Sequence, residues 1–371
     1  MIKNQRGLAC MSVLLTMAIS LACSLVSLPG DSSALEPVSV KNAGTVIVLS
    51  EGDGVREDFL SNLESQLAWS QKLDMFPVNG RWSTWLAQFT LAPDEEPVAP
   101  HGFYRLSPQQ PSYGRLLVSN IFYTPHSLRL VFFLDYQPLL VQTKSGLQET
   151  YYMPEMPVGA EQAVELRFPP LPKGLHHLSI LLITDPESES VDLEYRGNQQ
   201  RSCSEQRYDL WVGIEELPSD VPAFPNREQA VSGGGFRAVF DVVKSAPPPY
   251  ALIEELDLDP GTEHELGLLF AAEEQSSNSP PYTGTLPLRI GVFWNDRLYA
   301  ASEYELDPRQ KLSEPMLLPY SITAPTEPGH YQMQIVIWLF PWHALHSADG
   351  DWISFGKVSF SRRILVTVAD R

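Results

Sequence analysis

The chain has 371 residues, 43% of them apolar and 19% charged. That is a globular composition, and the length suits two domains with a small extra segment, each half long enough to bury its own core. A formal net charge of −19 repels nucleic-acid backbones and anionic headgroups, so phosphate-backbone binding is excluded as the main role and no nucleic-acid partner is expected.

Residues 1–34 read as a targeting segment. Lys3 and Arg6 precede an uncharged, mostly apolar run at 8–28, which Pro29-Gly30-Asp31 breaks. This is the layout of an export signal or a membrane anchor. Three outcomes stand open: cleavage after Ser32-Ser33-Ala34, retention as an N-terminal anchor, or lipidation at Cys23. For the last, Ala22 supplies the small residue before the cysteine, whereas Leu21 and Ser20 depart from the usual order. Each outcome places 35–371 outside the cytoplasm, with the membrane reached through the N-terminus. Cys10 and Cys23 fall in this segment, so Cys203 alone remains in the folded part. No disulfide is expected there, and Cys203 reads as a loop thiol.

Residues 35–79 read as a tether and a strand-helix adaptor. The run TVIVL at 45–49 predicts a short strand. Asp53-Gly54 then precedes Val55, Phe59, Leu63 and Leu67, spaced by four, which predicts a helix capped by Asp53. The intervening loop SEGDG lacks the glycine spacings that cradle a phosphate, which excludes a nucleotide site of that type.

From residue 80 the chain is written twice. LRLVFFLDYQPLLV at 128–141 answers LRIGVFWNDRLYAA at 288–301. Pro172-Lys173-Gly174-Leu175-His176-His177 answers Glu327-Pro328-Gly329-His330-Tyr331, and each glycine opens an apolar strand that stops at a proline, Pro186 or Pro341. LWVGI at 210–214 answers ILVTV at 364–368. The separations are 160, 155 and 154 residues. Leu128, Leu130, Phe132 and Leu134 alternate on one face, as do Leu288, Ile290, Val292 and Trp294. Each copy shows about seven short strands separated by Pro, Gly and Asp turns with no helix between them. That predicts two antiparallel sandwiches in tandem, at 80–217 and 236–371. Residues 218–235 form the hinge, stiff at Pro218, Pro222 and Pro225 and loose at Ser232-Gly233-Gly234-Gly235.

The strand count and the Pro-x-Gly-x-[His/Tyr] turn before the long penultimate strand resemble immunoglobulin-like or fibronectin-type modules of bacterial surface proteins. The resemblance implies an all-β fold of two Ig-like sandwiches, and it carries no activity. The Cys…Trp…Cys framework of antibody domains is absent. Trp294 holds a core-Trp position that is Leu134 in the first copy.

The longest unpatterned segments fall at matched places, 187–207 and 342–361, where sandwiches usually carry binding sites. The first is polar, with Arg196, Arg201 and Arg207 among acidic residues. The second is aromatic. There Trp342, His343, His346 and Trp352 form the ligand-binding candidates, with a sugar ring as the natural ligand or with the two Trp as caps of their own core. His343-x-x-His346 is too sparse for zinc, and Asp349-Gly350-Asp351 lacks calcium-loop spacing. The acidic residues from Glu254 to Glu265 read as a solvated loop, and His176-His177 as hydrogen-bonded histidines at a strand start. No metal or other cofactor is expected. No nucleophile motif is present, and no carboxylate pair is placed by sequence. The chain therefore reads as a non-catalytic, envelope-anchored binding or assembly module with an envelope protein or a glycan as partner. A carbohydrate-binding accessory protein using 342–355 is the alternative, and a hydrolase with a fold-assembled site stands behind it.

Overall fold

The computed structural model describes residues 36–57, 60, 85–91, 103–122, 124–190, 195–196, 203–223, 236–244, 252–274, 286–306, 316–344 and 358–369. Among them every named element is a strand. The first half contains β1 (Glu36–Val38), β2 (Thr45–Val55), β3 (Trp85–Leu91), β4 (Phe103–Leu106), β5 (Ser112–Asn120), β6 (His126–Leu134), β7 (Gln137–Pro138), β8 (Leu140–Thr143), β9 (Gly146–Gln148), β10 (Tyr151–Met156), β11 (Ala160–Phe168), β12 (Gly174–Thr184) and β13 (Ser204–Val212). The second half contains β14 (Phe236–Lys244), β15 (Glu255–Leu258), β16 (Glu263–Glu274), β17 (Leu286–Trp294), β18 (Arg297–Leu306), β19 (Met316–Thr323), β20 (Gly329–Leu339), β21 (Val358–Phe360) and β22 (Ile364–Val368).

Four sheets result. Their orders are β10-β6-β12-β13-β4 and β3-β5-β11-β2-β8-β9 in the first half, then β1-β18-β17-β20-β22-β15 and β14-β16-β19 in the second. Each half encloses an apolar core between its two sheets. One is built on Val46, Phe89, Leu116, Leu128, Phe132 and Ile180, the other on Leu268, Ile290, Trp294, Ile335 and Val366. Trp294 and Leu134 both face their cores and are buried.

The written repeat is also a repeat of geometry. The strands β6 and β17 are each nine residues, 160 apart, and β12 and β20 are each eleven, 155 apart. In both halves a two-residue loop closes a hairpin with two residues at positive φ. Asp135 and Tyr136 lie at 50° and 58°, Asn295 and Asp296 at 49° and 63°. Such turns match the right-handed strand twist, and Asn or Asp tolerates them better than Tyr. Both halves also carry a parallel pair at the same sheet end, β13 with β4 and β22 with β15.

Three expectations need correcting. Asp53 caps no helix, because Asp53 and Val55 continue β2, opposite Gln162 and Ala160 of β11. Glu57 and Leu60 are helical, with the Leu60 amide donating to the Arg56 carbonyl at 3.1 Å, and Phe59, Leu63 and Leu67 lie outside the described residues. Residues 35–79 are not merely an adaptor in front of the repeat, because β2 is an interior strand of a first-half sheet and β1 pairs with β18 of the second half. The proline part of the hinge is tied down as well, with the Ala344 amide donating to the Pro222 carbonyl at 2.9 Å.

The halves join through a third apolar cluster of Val131, Phe133, Leu181, Ile183 and Cys203 from one and Phe293, Val336, Trp338 and Phe360 from the other. The faces that meet are equivalent, and Phe133 touches its own counterpart Phe293 at 6.1 Å between ring centres. Self-complementary packing of this kind is what a two-fold axis produces. The volumes are balanced differently in each half. Val131 and Ile183 answer Gly291 and Trp338, and a Cβ on Gly291 would meet Trp338 Cζ3 at 2.8 Å. Gly291→Val should therefore destabilise the fold by about 1–3 kcal/mol through overpacking. The double change Gly291→Val with Trp338→Ile, which copies the first half, should recover much of that loss. Equilibrium denaturation of the two variants checks it, and an additive outcome would contradict the packing account.

Candidate functional site

Polar chemistry in the described residues concentrates at the rim of this seam, and arginine dominates it. Arg207 on β13 donates to the carbonyls of Phe340 at 3.0 Å, Pro341 at 2.9 Å and His343 at 2.6 Å. The pairing register, Gly174 with Val212 in one half and Gly329 with Val368 in the other, makes Arg363 its counterpart, two residues off the 154 spacing read from sequence. Arg363, just before β22, donates to the carbonyls of Asp185 at 2.8 Å and Thr184 at 3.3 Å. Asp185 and Phe340 are themselves equivalent. Each ends its long strand at positive φ, 45° and 52°, and this turns its carbonyl out of the ladder toward the arginine. A second reciprocal pair comes from the central strands. Arg129 on β6 reaches Asp296 Oδ2 at 2.8 Å, and Arg289 on β17 donates to the Tyr136 carbonyl at 3.4 Å. Asp296, 3% exposed, thus stands between Arg129 and Arg363, the latter at 3.7 Å.

Around these lie the residues that alternate onto the seam face of β12 and β13. His177 Nδ1 meets Asp209 Oδ1 at 2.8 Å, both buried. The Ser179 hydroxyl donates to Glu205. Burial pushes the Glu205 carboxyl up, against the opposing pull of Arg207 and Ser179. Tyr136 is fully buried, its hydroxyl donates to the Pro341 carbonyl, and the Arg207 and Arg289 guanidinium groups each lie 5.7 Å from its ring centre. The left-handed backbone at Tyr136 is held by these contacts. His176 at the strand start pairs with Asp135 at 2.7 Å, as a hydrogen-bonded histidine there should.

The aromatic candidates divide. Trp342 belongs to the seam. It is half-buried, packs edge-on to Tyr136 at 4.9 Å and donates its indole N–H to Glu303 at 3.0 Å. That is the position of a cap over packed side chains, with the polar edge of the ring already engaged. His343 sits beside it, partly buried, its carbonyl taken by Arg207. His346, Trp352 and Cys23 lie outside the described residues, so the structure brings together only Trp342 and His343 of the five. Cys203 lies in the loop just before β13. It is buried in the seam, and burial pushes the thiol up to about 11. Arg207, read from sequence as part of a polar loop, is a buried strand residue. Arg196, 2% exposed, donates to the carbonyls of Ser190 and Glu254. Among the described residues no group of three or more His, Cys, Asp or Glu is placed to hold a metal ion.

One further chain of groups has chemical interest. His126 Nδ1 meets Asp185 Oδ2 at 2.6 Å, and His126 Nε2 meets the Thr124 hydroxyl at 2.8 Å. The Phe122 ring lies 4.4 Å from the imidazole, and Tyr195 and the Ser127 amide also donate to Asp185. Burial raises the Asp185 carboxyl, but the His126 contact and the two donors outweigh it and the group is lowered overall. A hydroxyl, an imidazole and a carboxylate in series is the order used for nucleophile activation. It also works as a staple, because Asp185 ends β12 and fastens the start of β6.

The seam residues were missed in the sequence reading, although a signal existed. Arg129 and Arg289 interrupt the most apolar strand of each copy at the same place, where a charge has no business unless a partner surface meets it.

No family model and no curated protein matches the chain. Solved structures similar to it include the CARDB domain of a Pyrococcus furiosus protein in complex with di-metal ions, at 10% identity over 36% of this chain and 94% of that chain, TM-score 0.23. Red sea bream transglutaminase is similar at 9% identity over 83% of this chain and 34% of that one, TM-score 0.19. A secreted serine protease from Vibrio cholerae is similar at 9% identity over 72% and 50%, TM-score 0.18.

Burial, then the charge of Arg207 and the proximity of His177, hold His343 down to about 4 from its ordinary 6.5. The folded state therefore favours neutral His343. Its contribution is complete above pH 6.5 and is lost as pH falls from 6.5 toward 4, up to about 2–3 kcal/mol. Replacing His343 by Gln should make the melting temperature fall less between pH 7 and pH 4.5 than in the parent chain. Parallel melts at the two pH values check it, and an equal or larger fall in the variant would contradict the assignment.

Proposed function

We propose that the protein is a non-catalytic, extracytoplasmic binding or assembly module, anchored to the envelope through its N-terminus and built as two tandem Ig-like sandwiches. The observation that carries this reading is the seam. Of the side chains best suited to chemistry, the buried arginines and Tyr136 join the halves across a self-complementary face, and His177 with Asp209 and Glu205 with Ser179 are paired within the first half on that face. A chain that commits its buried charges in this way presents a stiff scaffold, and scaffolds of tandem sandwiches act by what they display. The partner is an envelope protein, with a glycan as the alternative. The glycan reading rests on Trp352 and His346, since the indole N–H of Trp342 is already bonded inside the fold. Fractionation of cells expressing the full chain should find it with the membrane and open to externally added protease. Radioactive palmitate should label the parent and not Cys23→Ser if lipidation is the anchor. A soluble cytoplasmic protein would end the reading.

The Thr124–His126–Asp185 series favours one second reading, a hydrolase using Thr124 as nucleophile and His126 as base. Turnover of a p-nitrophenyl ester that is abolished by both Thr124→Val and His126→Gln would establish it. Turnover indifferent to either change would leave the series as a staple.

A further inference from the structure

We infer that the outer edge of β19 is a strand-addition site, taking an extended segment of another polypeptide in antiparallel pairing. The repeat itself points to this edge. In the first half β11 pairs on one side with β5 and on the other with β2, which β8 and β9 extend. In the second half β19 takes the place of β11 and pairs with β16, and among the described residues no strand pairs with its other side. Position for position, 154 residues apart, Ser321 answers Arg167, which faces Ile47 of β2, and Pro319 answers Glu165, which faces Ser50 beside the irregularity in that pairing. The chain thus shows, in its own first half, what occupies this edge: an extended, β-branched strand running antiparallel.

The hydrogen-bonding groups at the edge can be assigned. The Ala324 amide donates inward to the Thr262 carbonyl at 2.9 Å. Donors alternate along a strand, so the amides of Leu317, Ser321 and Thr323 point outward. Pro319 falls on the same parity, where its missing N–H costs the β16 ladder nothing, as expected for a proline in an edge strand. It leaves its carbonyl to accept. The sequence MLLPYSIT also carries no charge, whereas the opposite edge of the same sheet has Arg237, Asp241 and Lys244 on β14. Charged residues are the common protection of an edge against added strands. An uncharged edge in a chain of net charge −19 is open to a neutral or basic segment whose backbone supplies the affinity and whose alternate apolar side chains supply the fit.

The inference rests on the assembly reading for the existence of a partner, and its test is separate from that reading. The probe is a rhodamine-labelled peptide of residues 44–50 of this chain, the uncharged part of the strand that fills the equivalent edge. It is titrated into the purified full chain by fluorescence anisotropy, with amide hydrogen exchange followed on the bound and free protein. Saturable binding is expected, with exchange slowed at Leu317, Ser321 and Thr323, and weakened at least tenfold by Ser321→Pro. Melting curves establish that the variant folds. Thr323→Pro, at the strand end, removes a second outward amide where Ser321→Pro is not tolerated. No binding up to millimolar peptide, binding unchanged in the folded variants, or outward amides already slow to exchange without peptide would each overturn the inference. Dimerisation of the chain alone through this edge, read by sedimentation, would assign it to a second copy and overturn it too. None of these results bears on export or anchoring, and a cytoplasmic location would leave the edge chemistry as measured.

Discussion

Burying guanidinium groups between two β-sheets is the constraint on which this structure turns. Arg207, Arg289 and Arg363 are each no more than 6% exposed, and an unpaired charge in such surroundings costs several kcal/mol. Arg207 and Arg363 meet that cost mainly with carbonyls, and Arg289 with the Glu303 carboxylate at 2.8 Å. The long strands β12 and β20 end at positive φ, and their last carbonyls swing out to the arginine of the opposite half. Each half thereby supplies both the charge and the acceptors the other requires. Neither face could be left in water as it stands, since it would expose Phe133, Leu181, Phe293 and Trp338 together. The apolar patch and the charged rim demand the same partner surface, and the repeat provides it.

The departures from two-fold symmetry are as informative as the symmetry. Gly291 and Trp338 redistribute the volume of Val131 and Ile183 between equivalent positions, as close packing of the seam requires. The second difference lies in the outer sheets. After its hairpin the first half sends β8 across to pair with β2, whereas the second half keeps β18 whole on β17. Strand β1 then lies on β18 through Val38, Pro37 and Glu36, so one N-terminal segment touches the second half before it enters the first.

Much of this was legible in sequence. The spacing of 160 residues for the hairpin strands and 155 for the glycine-led strands is the spacing of β6 to β17 and of β12 to β20. Turn chemistry and alternation are local, and local signals survive in a single sequence. The failures share the opposite cause. Asp53 and Val55 carried a valid cap-and-period signal, but Asp53 pairs with Gln162 and Val55 with Ala160, a hundred residues away. Arg207 looked like a loop charge because its acceptors lie at 340–343. For Trp342 the sequence left two readings open, sugar platform or cap, because its partners, Tyr136 and Glu303, lie far off in the chain. A polar or aromatic residue can be recognised as unusual from its neighbours in sequence, but what satisfies it is decided by the fold.

The placement of charge joins the seam to the surface. The chain has 26 basic residues against 45 acidic ones, and burial removes both signs from solvent, Arg196, Arg207, Arg289 and Arg363 together with Glu205, Asp209 and Asp296. What faces water stays strongly acidic, while the seam holds its arginines against carbonyls and carboxylates. Such a surface repels other copies and most acidic partners at distances up to a Debye length, roughly 8–10 Å at physiological salt. Close approach is least opposed where the acidic shell is interrupted. The MLLPYSIT strand is such an interruption, and its outward groups are backbone amides and carbonyls, which bind without regard to side-chain charge. At that edge the strand offers backbone complementarity rather than charge.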